Sequence, residues 1–175
     1  MTDRLTLWNA MARDEAERSI LPCCGSRAWA SGMAGRRPFA TATPLLEASR
    51  EVWRSLDAQD WLEAFRSHPR IGDSRFGDSR AATSAAVKSQ EWSAEEQRQV
   101  GEGGATLKRA LAEGNRRYEE RFGRTFIVCA TGKLPDEILQ MLRRRLQNNE
   151  VAELQEAAEE QQQITQIRLR KWLEE

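Results

Sequence analysis

The segment FRSHPRIGDSR, residues 65–75, carries the only histidine of the chain, His68, followed at once by Pro69. A free imidazole titrates near pH 6.5, about where a side chain can both accept and return a proton, but it needs partners to act on a substrate. Two other ionisable residues stand where apolar ones belong. Val100, Gly104, Leu107, Leu111, Tyr118 and Phe122 share one face of a helix read from Ser93 onward. Extended back four residues, that face reaches Glu96. In the last helix, read from about 150 to 172, the stripe Leu154, Ala157, Gln161, Ile164, Arg168 turns a glutamine and an arginine inward, while Arg170 and Lys171 step off it. A buried charge is costly unless paired, so such conflicts between pattern and burial mark functional sites.

Each of the three has a structural alternative. SAEE fits a capping box, with Ser93 as the cap and Glu96 bonding back to it. Arg168 can snorkel outward near the chain end, and His68 can close a helix C-terminus. Cys23 and Cys24 read as small buried hydrophobes. A cysteine nucleophile with His68 as base is the competing hydrolase reading, and a helical interaction module built on the last helix is the non-enzymatic one. Three cysteines and one histidine, without CxxC or HxxxH spacing, make neither a disulfide framework nor a zinc site. No acidic cluster has calcium-loop spacing, so no metal is expected, a carboxylate-only site being the remaining alternative.

The elements that must position these residues are helical. The run 44–56 has a threonine cap and a proline in its first turn, and 57–68 ends where the residue before Pro69 must leave helical geometry. Residues 72–91, small and polar with two glycines, read as a long loop. A further helix covers 134–149, and TFIVCA, 125–130, is the one strand-like run. The expected fold is all-α: a single domain over 1–175, a bundle of about seven to nine helices, with at most a short extended segment near 125–130.

The chain has 175 residues and zero formal net charge, 27 basic against 27 acidic. It therefore has no long-range field to gather nucleic acid or an anionic membrane. The densest basic run, Arg143 to Arg145, is read as a solvated helix face, since consecutive helical residues point in different directions. No apolar run approaches the ~20 residues that span a bilayer. The first twenty residues mix charges through every turn, unlike a secretory leader, and the ending RKWLEE is not a peroxisomal signal. The cytoplasm is the expected compartment.

Taken in order, CCGSRAWASGMAGRRPFA (23–40), HPRIG (68–72), SAEEQ (93–97), the stretch from Asn115 through RFGRTFIVCATGK to Lys133, and EAAEEQQQITQIRLRKWL to Leu173 resemble the OHCU decarboxylases. These enzymes convert 2-oxo-4-hydroxy-4-carboxy-5-ureidoimidazoline (OHCU) to (S)-allantoin at the end of urate oxidation. The resemblance implies a cofactor-free enzyme in which His68 is the catalytic acid/base, Glu96 works beside it and Arg168 holds the substrate. It also implies that Pro69, Ser93, Ala94, Glu95, Gln97 and the segment Phe126, Ile127, Val128, Cys129, Ala130 line the pocket. A homodimer, working with urate oxidase and hydroxyisourate hydrolase, is implied as well. The sequence departs from the family pattern at Arg98 and Gln99, where small residues are usual, and in the glycine-rich GEGG, 101–104.

Overall fold

The computed structural model describes residues 3–72 and 84–175; among these there are ten α-helices and no strand, as an all-α chain requires. The described residues fall into two compact units, Met1–Ala64 with Gln162–Glu175, and Phe65–Gln161.

The first unit holds α1 (Arg4–Ala10), α2 (Arg13–Ile20), a single 3-10 turn Leu21–Cys23, α3 (Arg27–Gly35), α4 (Ala42–Ser55), most of α5 (Ala58–Arg66) and the end of α10 (Glu150–Glu174). Tryptophans fill its core with their polar edges satisfied. Trp8 donates to Ala16 O at 2.9 Å, Trp29 to Ser49 O at 3.3 Å and Trp172 to Ser19 O at 3.1 Å. Trp8 and Trp172 meet edge to face at 5.6 Å, a favoured geometry for two ring quadrupoles. Helix starts carry side-chain caps: Asp3 accepts from Thr6 N, Ser26 from Trp29 N, and Asp57 from Gln59 N and Asp60 N. Helix α4 begins two residues before the predicted start, behind Thr41.

The second unit holds α6 (Ser84–Glu96), α7 (Arg98–Gly101), α8 (Ala105–Phe122), α9 (Pro135–Arg145) and α10 as far as Gln161. Its core gathers Ile71, Val100, Leu111, Tyr118, Phe122, Phe126, Val128, Ile138 and Leu142. Gly114, in the middle of α8, lets α9 come close: a Cβ there would stand 2.5 Å from Leu142 Cδ2.

Three expectations are corrected here. The single helix read from Ser93 is three helices, broken once at Gln97 and again where Gly101, Gly103 and Gly104 lie, although Val100, Leu111, Tyr118 and Phe122 still share one core. Of the predicted loop 72–91, residues 84–91 are helical and 73–83 lie outside the described residues. Helix α6 escaped a periodicity search because its buried face is Ser89, Trp92 and Ser93, so two of three inward residues are polar. Finally, Arg145 is not on a solvated face: Arg143 and Arg144 are exposed, Arg145 is fully buried.

Gly123 ends α8 in the left-handed region at φ 66°, its N–H donating to Glu119 O at 2.8 Å. A Cβ is strained in that conformation. Gly123→Ala should cost about 1 kcal/mol, lowering the melting temperature by roughly 2–4 °C for a chain of this size. An unchanged melting temperature would contradict the strain argument.

Candidate active site

His68 lies two residues beyond the end of α5, half-buried, its N–H donating to Phe65 O at 3.1 Å. The predicted helix 57–68 thus stops at Arg66, and the imidazole sits on the turn that Pro69 enforces. Downstream, Arg70 pairs with Glu119 of α8, Ile71 is buried in the core of the second unit, and Gly72 turns at φ 77°.

Glu96 is the last residue of α6, half-buried, and Gln97 follows outside the helix. The capping-box alternative fails on this geometry. Ser93 is in the interior of α6, buried, its hydroxyl donating to Ser89 O at 2.9 Å, the usual fate of a mid-helix serine. Ala94 and Glu95 are exposed, whereas Gln97 Oε1 accepts from Gly72 N at 3.0 Å and so ties SAEEQ to HPRIG.

Residues 126–130 are buried and belong to no helix or strand. Their peptide groups must therefore find other partners, because orphaned buried backbone is costly. Arg145 Nη1 donates to Ile127 O at 2.7 Å, Cys129 N donates to Glu160 Oε2 at 2.7 Å, and Lys133 Nζ donates to Cys129 O at 2.5 Å. Arg145 also stacks over Phe126, 4.5 Å from its centroid. Burial pushes the Cys129 thiol up; Lys133 pulls it down, while Glu160 and Glu96 add to the rise. Glu96 is thereby within electrostatic reach of this segment.

The anchor of that arrangement is a buried ion pair. Arg145 and Glu153, both without exposed surface, meet through Nε at 2.9 Å and Nη2 at 2.5 Å on the same carboxylate oxygen. Tyr118 adds a third donor at 2.6 Å, and Asn148 Nδ2 reaches the other oxygen at 2.9 Å. Burial first, then the bond to Glu153, drives the Tyr118 phenol above its ordinary range, so it stays a donor. None of these residues was singled out for this role from the sequence. The available signal was Glu153 at an inward position, four residues before Ala157 on the buried side of α10.

Arg168 belongs to the first unit, on α10, and is fully buried with Nη1 3.4 Å from Pro22 O. Snorkelling to the surface is thus excluded, and the inward stripe is real: Ala157, Gln161, Ile164 and Arg168 are all buried. Cys23 and Cys24 are also fully buried; desolvation raises both thiols, Cys24 to about 12, although Arg168 opposes the rise. Such thiols stay protonated and make poor nucleophiles, which removes the basis of the hydrolase reading at these positions. Among the described residues no three histidine, cysteine, aspartate or glutamate side chains gather as a metal-binding group. No described helix is long and apolar enough to cross a membrane.

Known proteins share this arrangement of motifs. The family model for OHCU decarboxylase matches residues 9–170. The chain belongs to the OHCU decarboxylase family. A uric acid degradation bifunctional protein of Arabidopsis thaliana is 33% identical over 162 residues, 92% of this chain and 48% of that protein. The 2-oxo-4-hydroxy-4-carboxy-5-ureidoimidazoline decarboxylase of Amia calva is 31% identical over 138 residues, 76% of this chain and 73% of that one. A crystal structure of an OHCU decarboxylase in the presence of (S)-allantoin superposes with a TM-score of 0.74 at 31% identity, covering 90% of this chain and 99% of that one. Against the bifunctional relatives from Arabidopsis thaliana and Bacillus sp. (strain TB-90), the chain spans about half or less of their length.

Removing one partner of a buried pair strands the other charge. Arg145→Met should therefore lower the unfolding free energy by about 3–5 kcal/mol, measured by urea denaturation. A loss below about 1 kcal/mol, the size typical of exposed pairs, would show that Arg145 does not hold this segment.

Proposed function

We infer that this OHCU decarboxylase family member converts OHCU to (S)-allantoin and CO2, with His68 and Glu96 as the proton-handling pair and Arg168 as a substrate-binding cation. The observation that carries the reading is the likeness, over nine-tenths of the chain, to a decarboxylase solved with (S)-allantoin. The family match running from residue 9 to 170, through both units, supports one functional domain.

The substrate supplies its own electron sink. The bond to the carboxylate breaks and its electron pair joins the neighbouring carbon, while the nitrogen of the ring C=N takes up the charge and a proton. CO2 leaves an enol. Loss of the hydroxyl proton and gain of a proton at the ureido-bearing carbon then give the product. The protein need only move protons and choose a face. An imidazole ordinarily titrates at pH ~6.5, which suits the first task, and the turn limits the freedom of His68, so little is lost on meeting the substrate. Glu96 orients the imidazole or relays its proton, a carboxylate favouring the protonated ring. Arg168 offers a planar fork of donors to the ureido or ring oxygens. Placing it on the departing carboxylate would stabilise the ground state and oppose the reaction. Pro69, Ser93, Ala94, Glu95, Gln97 and the backbone of 126–130 complete the proposed lining. On the same likeness the protein acts as a cytoplasmic homodimer, downstream of urate oxidase and hydroxyisourate hydrolase.

In a coupled assay from urate with both upstream enzymes, the protein should accelerate formation of (S)-allantoin, read by optical rotation. His68→Asn should reduce that rate by about a hundredfold or more, the usual contribution of a general acid–base group. Glu96→Gln, which keeps shape and loses proton transfer, should cost about tenfold or more. Near-wild-type turnover in the His68 variant, or racemic allantoin from the wild type, would refute the assignment.

A further inference from the structure

One peptide group in the His68 turn is gripped from both sides. The carbonyl of Ile71 and the N–H of Gly72 are the two ends of a single peptide unit. Asn115 Nδ2 of α8 donates to Ile71 O at 2.9 Å, and Gln97 Oε1 accepts from Gly72 N at 3.0 Å. One turn along α8 from Asn115, Glu119 pairs with Arg70. The turn is thus held at three consecutive residues, 70, 71 and 72. Gly72 needs its positive φ of 77° for this: the nearest atoms to an added Cβ are at 3.7 Å, so the constraint is conformational rather than steric.

Asn115 is a poor choice for stability alone. It is 4% exposed, within the core of the second unit, and its Oδ1 is buried without a donor among the described residues. Such an acceptor loses its water hydrogen bonds for nothing in return, a cost set against the bond that the same amide makes to Ile71 O. A buried polar group kept against its local energetic interest indicates a role elsewhere.

We propose that Asn115 and Gln97 are positioning residues that act through the 71–72 peptide to set His68 against Glu96. Gln97 directly follows Glu96, so its bond to Gly72 fastens the segment bearing the carboxylate to the one bearing the imidazole. Asn115 fixes the opposite edge of the same peptide to the rigid 18-residue helix α8. With the peptide released, the imidazole keeps its chemistry and loses its aim. Misplacement by about 1 Å is enough to cost on the order of a hundredfold in turnover. This assignment rests on the proposed decarboxylase reading and goes beyond it by giving Gln97 a structural duty.

The test combines kinetics with the imidazole's own signal, which is unambiguous because the chain has one histidine. Asn115→Leu keeps the branched shape and deletes the donor; Gln97→Met keeps length and deletes the acceptor at the other end. Each should lower kcat by about tenfold to a hundredfold with KM changed less than about threefold. Because both act on one peptide, the double variant should lose little more than either single one. In NMR titrations of the folded Asn115→Leu protein, the His68 imidazole should show a displaced shift and midpoint. Wild-type kcat, a loss confined to KM, multiplicative losses in the double variant, or an unchanged His68 titration would each overturn the proposal. Should Asn115→Leu fail to fold, Gln97→Met and its His68 titration decide alone. A wild type that does not decarboxylate OHCU would refute the functional reading, while the NMR arm would still decide the clamp.

Discussion

The second unit depends on one buried ion pair. Arg145 and Glu153 have no exposed surface, and the interior compensates their desolvation only because Tyr118, Asn148 and Ile127 O supply the remaining hydrogen bonds. The irregular, buried run 126–130 follows from this. It has strand-like side chains but no neighbouring strand, so its amide groups are met by Arg145, Glu160 and Lys133.

The same economy explains which parts of the chain were legible. Helices with apolar stripes, such as those read over 57–68 and 134–149, are present, although they end earlier, at Arg66 and Arg145. The inward conflict on α10 was also visible, and Arg168 and Gln161 are both buried there. Where the inward face is polar, periodicity fails. Ser89 and Ser93 hide α6 inside an apparent loop, and Arg145 closes a basic run whose first two members are solvated. In each case hydrogen bonds do what hydrophobic contact does elsewhere, and a partner distant in sequence cannot be read from local pattern. The glycines of 101–104, noted as a departure from the family, mark a real break between α7 and α8.

Among the site residues, the bond between Gln97 and Gly72 joins two motifs that are 25 residues apart in the chain. Glu96 was inferred from a helical period that the structure interrupts, yet it ends α6 and acts electrostatically on Cys129. The unbroken helical face that pointed to it does not form. For Arg168, by contrast, periodicity alone predicts an inward position, and the side chain is completely buried.

A lone imidazole as the proton-transfer group is the central claim, and it has a direct measurement. The pH dependence of kcat/KM reports the ionisations of the free enzyme, and the His68 ring can be titrated by NMR in that same free enzyme. The account predicts that one kinetic pKa coincides with the NMR midpoint of His68 and that this limb vanishes in His68→Asn. A pH profile whose inflections all differ from the imidazole's own titration, or one that survives the substitution, would contradict it.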